Sequence, residues 1–246
     1  MNKISFSFII LIISVIIIAG LMDSDLYRNY YQKEGLSLNS IGPSTIQVLG
    51  STDYGTVLKS GPYGNLIRTQ KIAFIVGVHP LEINSHKTIV KSILSLNKSA
   101  NYSYYIYNVN VTKDRDSYNE GRMNGQLLAN KFAVPDIIQN NYDLVVDVHS
   151  HSGSNYLEDF FIFAPQEDVR SKSIATRLIA EIPGIVYYLP PKEKGPTSPL
   201  YVTIPIINSG TPAIVYETYR YEPYEVSLKH AADFIMGVER LELNLE

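Results

Sequence analysis

The chain has 246 residues, a length that allows one sizeable core or a core with a small appendage. It contains no cysteine, which excludes disulfide bridges, thiolate metal sites and a thiol nucleophile. Its net charge is −3, so no basic surface favours a nucleic-acid partner. A metal ion would need carboxylate or imidazole ligands, and the chain offers five histidines: His79, His86, His149, His151 and His230.

The N-terminal segment, residues 1–22, is the clearest targeting signal. Lys3 precedes an apolar run from Ile4 to Met22 that is interrupted only by serines. A run of about 20 apolar residues can span a bilayer, and the preceding basic residue predicts that the rest of the chain lies outside the cytoplasm. We expect an uncleaved single-pass anchor in the cell membrane. A cleaved signal that releases a secreted protein is the main alternative, and a buried globular helix is the other.

Residues 23–43 are polar, rich in tyrosine and end in Gly-Pro, which predicts a tether before a folded domain at 44–246. In that domain the pattern predicts strands at 45–51, 71–78, 104–111, 142–151, 160–165, 184–190 and 211–219, and helices at 84–97, 119–132, 169–182 and 223–241. Asn84 or Ser85 is the expected N-cap of the first helix. This alternation predicts a three-layer α/β fold, in which helices cover both faces of a mostly parallel or mixed central sheet.

The stretch FIVGVHPLEIN, residues 74–84, places His79 and Glu82 just after a buried strand. Ligands bind at the carboxyl ends of strands in such sheets, so we expect a site there. Pro80 favours an extended His79, and Glu82 follows in the turn to the next helix. An imidazole and a carboxylate at this spacing can bind one ion such as Zn²⁺. The alternative is a capping carboxylate beside a surface imidazole.

Asp147, His149 and His151 alternate along a second buried strand, so their side chains point to one face. Polar groups that end a buried strand need partners, and a metal ion is one such partner. A third ligand from this strand would complete a site of two histidines and one glutamate, with an open position for water. The alternative is an aspartate–histidine hydrogen-bond network without a metal.

Two further segments carry groups suited to catalysis. Glu217 ends an apolar strand, where its carboxylate can act as general base on a water molecule that zinc activates. The alternative is a rim carboxylate paired with Arg220. Arg115, Asn119 and Arg122 lie close together before the second cluster, where an arginine can stabilise an oxyanion or bind a substrate carboxylate. The alternative there is a solvated turn and helix face.

These motifs resemble those of the zinc carboxypeptidase superfamily, including its succinylglutamate desuccinylase and aspartoacylase-like branch. The resemblance covers residues 70–220 and depends on His-x-x-Glu at 79–82, DVHS at 147–150 and TPAIVYE ending at Glu217. It implies that His79, Glu82 and His149 bind zinc and that Glu217 is the general base.

The same resemblance implies roles for five more residues. Arg115 or Arg122, with Asn119, would take the oxyanion and substrate-carboxylate roles. His151 would contact substrate or support a ligand. Tyr201 is the candidate for the mobile tyrosine that the peptidases of the family use.

The sequence therefore predicts a membrane-anchored, extracytoplasmic zinc hydrolase of amide bonds that acts on cell-envelope peptides. One alternative is an N-acyl-amino-acid deacylase of the desuccinylase type. The other is a non-catalytic envelope binding domain that retains the fold. The oligomeric state is not predicted.

Overall fold

The computed structural model describes residues 45–153, 156–191 and 197–243. The expected anchor at 1–22 and the expected tether at 23–43 lie outside these residues. Within the three described ranges, no helix combines the length and the apolar composition that a membrane crossing requires.

A mixed sheet of eight strands forms the centre of the domain, in the order β1-β2-β4-β3-β5-β8-β6-β7. Its four central strands, β4, β3, β5 and β8, run parallel to one another. The pairs β1–β2, β2–β4 and β6–β8 are antiparallel. The strands are β1 (Thr45–Thr52), β2 (Gly55–Gly64), β3 (Lys71–Val76), β4 (Ser103–Val111), β5 (Leu144–His151), β6 (Phe160–Phe163), β7 (Val186–Tyr187) and β8 (Ala213–Tyr219).

Helices cover both faces of this sheet, which confirms the predicted α/β fold. They are α1 (Ile83–Leu94), α2 (Tyr118–Leu128), α3 (Val134–Asn140), α4 (Val169–Glu181), α5 (Ser198–Tyr201), α6 (Thr203–Asn208) and α7 (Tyr224–Arg240). Apolar side chains of α1, α4 and α7 pack on one face, among them Ile89, Leu178 and Phe234. Those of α2, α3 and α6 pack on the other face, with Leu128 and Ile206 among them.

Several elements differ from their predicted form. Strand β2 was not predicted, because its sequence GTVLKSGPYG combines glycine and proline with few apolar residues. Helices α5 and α6 lie in a proline-containing segment without a helical pattern. The predicted helix at 119–132 continues to Asn140, because a π-helical turn, Ala129–Ala133, joins α2 to α3.

The turn after β3 also differs from its prediction. β3 ends at Val76 rather than residue 78, because Gly77 adopts a φ of +85° that turns the chain. The N-cap of α1 is Glu82, so the prediction of Asn84 or Ser85 is wrong. The Ser85 hydroxyl instead donates to the Glu82 carbonyl oxygen, at 3.0 Å. The Glu82 side chain makes no capping bond, which leaves its carboxylate free for other partners.

Helix α2 lies directly against the backbone of this turn. A Cβ atom on Gly125 would lie 1.8 Å from the carbonyl oxygen of Val78, so only glycine permits the approach. The close contact positions Arg122 and Gln126, which flank Gly125 and lie four residues apart on one side of the helix. The contact between Gly125 and Val78 thus fixes α2 relative to the turn that follows β3.

Replacing Gly125 with alanine should destabilise the protein, although glycine-to-alanine changes in a helix normally stabilise it by about 1 kcal/mol. The added methyl group would push α2 away from Val78, and overpacking of this kind costs about 1–3 kcal/mol. Urea unfolding monitored by circular dichroism measures the change. Met123→Ala, at an exposed position of the same helix, should change stability little. A more stable Gly125→Ala variant would contradict the proposed contact.

Candidate metal centre

Three side chains predicted from separate motifs meet at the carboxyl ends of β3 and β5. His79 follows β3, Glu82 precedes α1, and His149 lies in β5. Their ligand atoms all lie within 4.8 Å of one another, and the three residues are buried. His79 Nδ1 lies 2.9 Å from Glu82 Oε1, and His149 Nδ1 lies 2.9 Å from Glu82 Oε2. Two imidazole nitrogens and a carboxylate therefore face a common point, a donor set that suits a divalent metal ion.

The second ring nitrogen of each of these histidines, Nε2, has partners on the other side of the ring. His149 Nε2 lies 3.0 Å from Asp147 Oδ1 and 3.0 Å from Ser198 Oγ. His79 Nε2 lies 3.1 Å from Gln126 Nε2. Partners of this kind orient metal-binding histidines, because they hold the ring while the opposite nitrogen faces the ion. The predicted alternative was an Asp147–His149 hydrogen-bond network without a metal, and the 3.0 Å approach of these two side chains is compatible with that alternative as well as with a metal site.

Burial and neighbouring charges set the protonation of the metal-free cluster. Burial lowers the pKa of His79 to about 4, against the opposing effect of Glu82, so this imidazole is neutral. Burial also disfavours charge on His149, but Asp147 and Glu82 outweigh it and raise the pKa of His149 well above its usual value. Burial opposes ionisation of Glu82 too, yet the two histidines hold its pKa well below normal. A metal ion would therefore replace the proton on His149.

Glu217 lies beside His149 on the neighbouring strand. The two residues are paired across β5 and β8, so their side chains share one face of the sheet. Glu217 is buried, and its Oε2 has no hydrogen-bond partner among the described residues. Burial raises the pKa of Glu217 to about 8, although the charges of His149 and Arg122 act in the opposite direction. A carboxylate with a pKa near neutrality is suited to proton transfer.

The alternative for Glu217, a rim carboxylate paired with Arg220, does not fit these contacts. Arg220 Nη2 donates to the carbonyl oxygen of Leu81, at 2.8 Å. Arg220 thus holds the turn that carries Glu82.

Of the predicted residues in the segment before α2 and in its first turns, Arg122 reaches the cluster. Its Nη1 donates to Glu82 Oε1 at 2.8 Å, and its guanidinium group lies 4.9 Å from the centre of the Tyr118 ring. Asn119 is exposed, and Arg115 lies in the turn that leads to α2. The structure gives neither of these two side chains a hydrogen bond to the cluster, so their substrate roles stay predictions.

His151 lies on the same face of β5 as His149 but outside the metal cluster. Its ring packs against three aromatic rings, with centroids 4.5 Å from Tyr156, 5.5 Å from Phe161 and 6.1 Å from Tyr219. The backbone N–H of Gly153 donates to His151 Nδ1, at 3.2 Å. His149 is therefore the histidine of this strand that meets His79 and Glu82.

Two tyrosines occupy positions that bear on the predicted mobile tyrosine. Tyr201 packs against the apolar cluster beneath α2 and α3, and its carbonyl oxygen accepts from Asn130. Tyr156 lies nearer the site: burial raises the pKa of its hydroxyl, and the charge of Glu217 adds to the effect. The ring of Tyr156 packs against that of His151, with centroids 4.5 Å apart, and the role predicted for Tyr201 stays a prediction.

Sequence reasoning missed Gln126, Ser198 and Tyr156 as site residues. Gln126 carried a usable signal, because it lies four residues after Arg122 on one helix and therefore points the same way. Ser198 lies in a segment without a recognisable pattern, and its contacts with β5 depend on the tertiary fold. Tyr156 follows the stretch SGSN, which carries no recognisable chemical motif.

No protein-family model and no curated protein matches the sequence. The structure is similar to a metallo-carboxypeptidase from Burkholderia cenocepacia, with a TM-score of 0.55 and 10% identity over 86% of this chain and 67% of that chain. It is also similar to a protein from Shewanella denitrificans OS217 provisionally assigned as a metallopeptidase, with a TM-score of 0.54 and 13% identity over 86% and 88% of the two chains. Apo Csd4, a cell shape determinant protein from Helicobacter pylori, gives a TM-score of 0.50 and 12% identity over 75% of this chain and 53% of that chain. The structural similarity therefore establishes a shared fold, while sequence identities this low establish nothing beyond it.

In the metal-free protein, Glu217→Gln should increase the free energy of unfolding at alkaline pH by a few kcal/mol. The folded-state pKa of about 8 exceeds the usual 4.5, so the unfolded chain releases its proton first as the pH rises. As the pH rises from about 4.5 to about 8, the free energy of unfolding of the wild type therefore falls, whereas ionisation at this position does not lower that of the glutamine variant. Urea unfolding with a chelator at acidic, neutral and alkaline pH measures this difference. Equal stability of the two proteins at about pH 9 would contradict a raised pKa.

Proposed function

We propose that this chain, which has the fold of the metallocarboxypeptidases, is a zinc-dependent hydrolase of amide bonds with peptide substrates. The observation that carries the proposal is the convergence of His79, Glu82 and His149 beside Glu217, whose Oε2 has no hydrogen-bond partner among the described residues. The fold shared with a metallo-carboxypeptidase supports the same class of reaction.

Zinc is the proposed metal because the site offers two imidazoles and one carboxylate, and the chain has no cysteine. Three protein ligands leave a coordination position for water or substrate, as catalytic zinc sites do. When bound, the ion would polarise the scissile carbonyl and lower the pKa of a water molecule. The outer partners Asp147 and Gln126 would hold the two rings in place.

Glu217 and Arg122 supply the remaining chemistry. Glu217 accepts a proton from the attacking water and then donates it to the nitrogen of the leaving amine, which its near-neutral pKa suits. Arg122 binds Glu82 through Nη1 and offers its other N–H groups to the carbonyl oxygen as negative charge develops. Tyr156, whose ring packs against that of His151, would border the space in which the substrate lies.

The proposed location is the outer side of the cell membrane, with residues 1–22 as an anchor. The proposal relies on the apolar run and on the basic residue before it. A membrane-held enzyme outside the cytoplasm would meet peptides of the cell envelope, which makes these the proposed substrate class.

Replacing Glu217 with glutamine should leave zinc binding intact and reduce amide hydrolysis by about 100- to 10,000-fold, because the proton acceptor is lost. Metal content by mass spectrometry and release of free amines from envelope peptides measure the two effects. Assays on N-acyl amino acids in parallel separate a peptidase from a deacylase. Substantial turnover by Glu217→Gln would remove the assigned base.

Alanine substitutions of the two β5 histidines should have opposite effects on the metal. His149→Ala should lose zinc, because it removes one of three ligands. His151→Ala should retain zinc, because its ring lies among aromatic side chains. Zinc titration by calorimetry makes the comparison, with each variant checked for folding by circular dichroism. Zinc loss from His151→Ala alone would show that the ligand register is wrong.

A further inference from the structure

Strand β5 extends beyond the end of its neighbour β3. Along this parallel pair, Ile75 and Asp147 are the last residues that lie opposite each other. Gly77 then takes a φ of +85°, which turns the chain. β5 continues to His151 and stays paired with β8 over that length. Among the described residues, positions 148–151 therefore have a strand on one side only.

The backbone groups on the open side of β5 belong to Val148 and Ser150. Alternate residues of a strand direct their N–H and C=O groups to the same neighbouring strand. The N–H of Arg220, just after β8, donates to the carbonyl oxygen of His151 at 2.8 Å, so His151 faces β8. Val148 and Ser150 lie an odd number of positions before His151 and therefore face the side that β3 has left. Both residues are buried, and buried backbone groups need hydrogen-bond partners.

Two side chains at the start of α1 supply these partners. The N–H of Ser150 donates to Glu82 Oε2, at 3.0 Å. His86 Nε2 lies 3.1 Å from the carbonyl oxygen of Val148. A carbonyl oxygen only accepts, so His86 donates through Nε2–H, which the neutral ring and the protonated ring can both do. Glu82 and His86 lie four residues apart, about one helical turn, and so reach the same strand from one side.

The two contacts hold the peptide groups on either side of His149. The carbonyl of Val148 belongs to the peptide group before His149, and the N–H of Ser150 belongs to the peptide group after it. The direction of a strand side chain follows from the orientation of these two groups. His149 Nδ1 lies 2.9 Å from Glu82 Oε2, the oxygen that also accepts from Ser150. Fixing both peptide groups therefore fixes where the His149 ring meets Glu82.

We propose that His86 is a positioning residue of the metal centre: it takes the place of the missing strand neighbour and holds the peptide group that precedes His149. The inference rests on the proposed metal-dependent function and adds to it a residue that is not one of the three candidate ligands. His86 acts through the backbone of β5, so its loss should disturb the geometry of the ligands while leaving all three in the chain.

Three substitutions on α1 separate this hydrogen bond from the stability of the fold. His86→Leu removes the donor and should weaken zinc binding by about 10- to 100-fold, the usual effect of losing a group that orients a metal ligand. His86→Gln keeps an N–H group at the position of Nε2 and should bind zinc nearly as the wild type does. Thr88→Val removes a buried hydroxyl group that lies 3.2 Å from Ser227 Oγ in α7, and should lower stability without changing zinc affinity.

Zinc titration by calorimetry and the visible absorption of the cobalt(II)-substituted full chain provide the readouts. Cobalt absorption depends on the geometry of the ligands, which a loss of stability elsewhere does not change. Urea unfolding of the metal-free variants measures their stability separately. The expected result is weaker zinc binding with an altered cobalt spectrum in His86→Leu, and wild-type affinity and spectrum in His86→Gln and Thr88→Val.

Wild-type zinc affinity and cobalt spectrum in His86→Leu would overturn the inference alone. Equal losses of affinity in His86→Leu and His86→Gln would do the same, because the hydrogen bond would then not be responsible. A wild type that binds no zinc would overturn the proposed function, and the inference with it. If His86→Leu fails to fold, His86→Asn makes the same comparison with His86→Gln, because the shorter amide does not reach Val148.

Discussion

The site depends on one buried carboxylate, that of Glu82. Its two oxygens face the imidazoles of His79 and His149, and it also accepts from Arg122 and from the backbone N–H of Ser150. A carboxylate removed from water is costly unless such partners surround it. The partners come from the turn after β3, from α2 and from β5, so the ionised group ties three separate parts of the chain together. The carboxylate of Glu82 and the two imidazoles that face it also supply the lone pairs that a divalent metal ion requires.

The arrangement of the sheet brings these parts together. β3 and β5 are adjacent parallel strands, so the turn after β3 and the end of β5 lie at the same edge. β8 follows on the other side of β5, and its register places Glu217 directly beside His149. Gly125 allows the backbone of helix α2 to approach Val78. Arg122 of the same helix donates a hydrogen bond to Glu82. The chemistry of the site is therefore a consequence of strand order, register and one close backbone contact.

The sequence was most informative where a local pattern had one physical explanation. Alternation along a buried strand placed Asp147, His149 and His151 on one face, and β5 has this arrangement. It was least informative where a contact joins distant segments. Ser198 reaches His149 across the fold, and nothing in the sequence around Ser198 indicates it. The N-cap of α1 was misjudged because propensity favours Asn or Ser there, whereas the backbone begins the helix after Glu82, whose side chain serves the cluster.

Local sequence determined the α/β class, the residue types at the strand ends and the pairing of histidine with glutamate, because periodicity and residue chemistry act over a few neighbours. The tertiary structure decided which polar residues meet. It brought Arg122 to Glu82 and left Arg115 and Asn119 without a hydrogen bond to the cluster, and it placed His151 among aromatic rings. These distinctions depend on strand order and helix approach, which arise from packing between segments far apart in the chain and are therefore not encoded in any single local pattern.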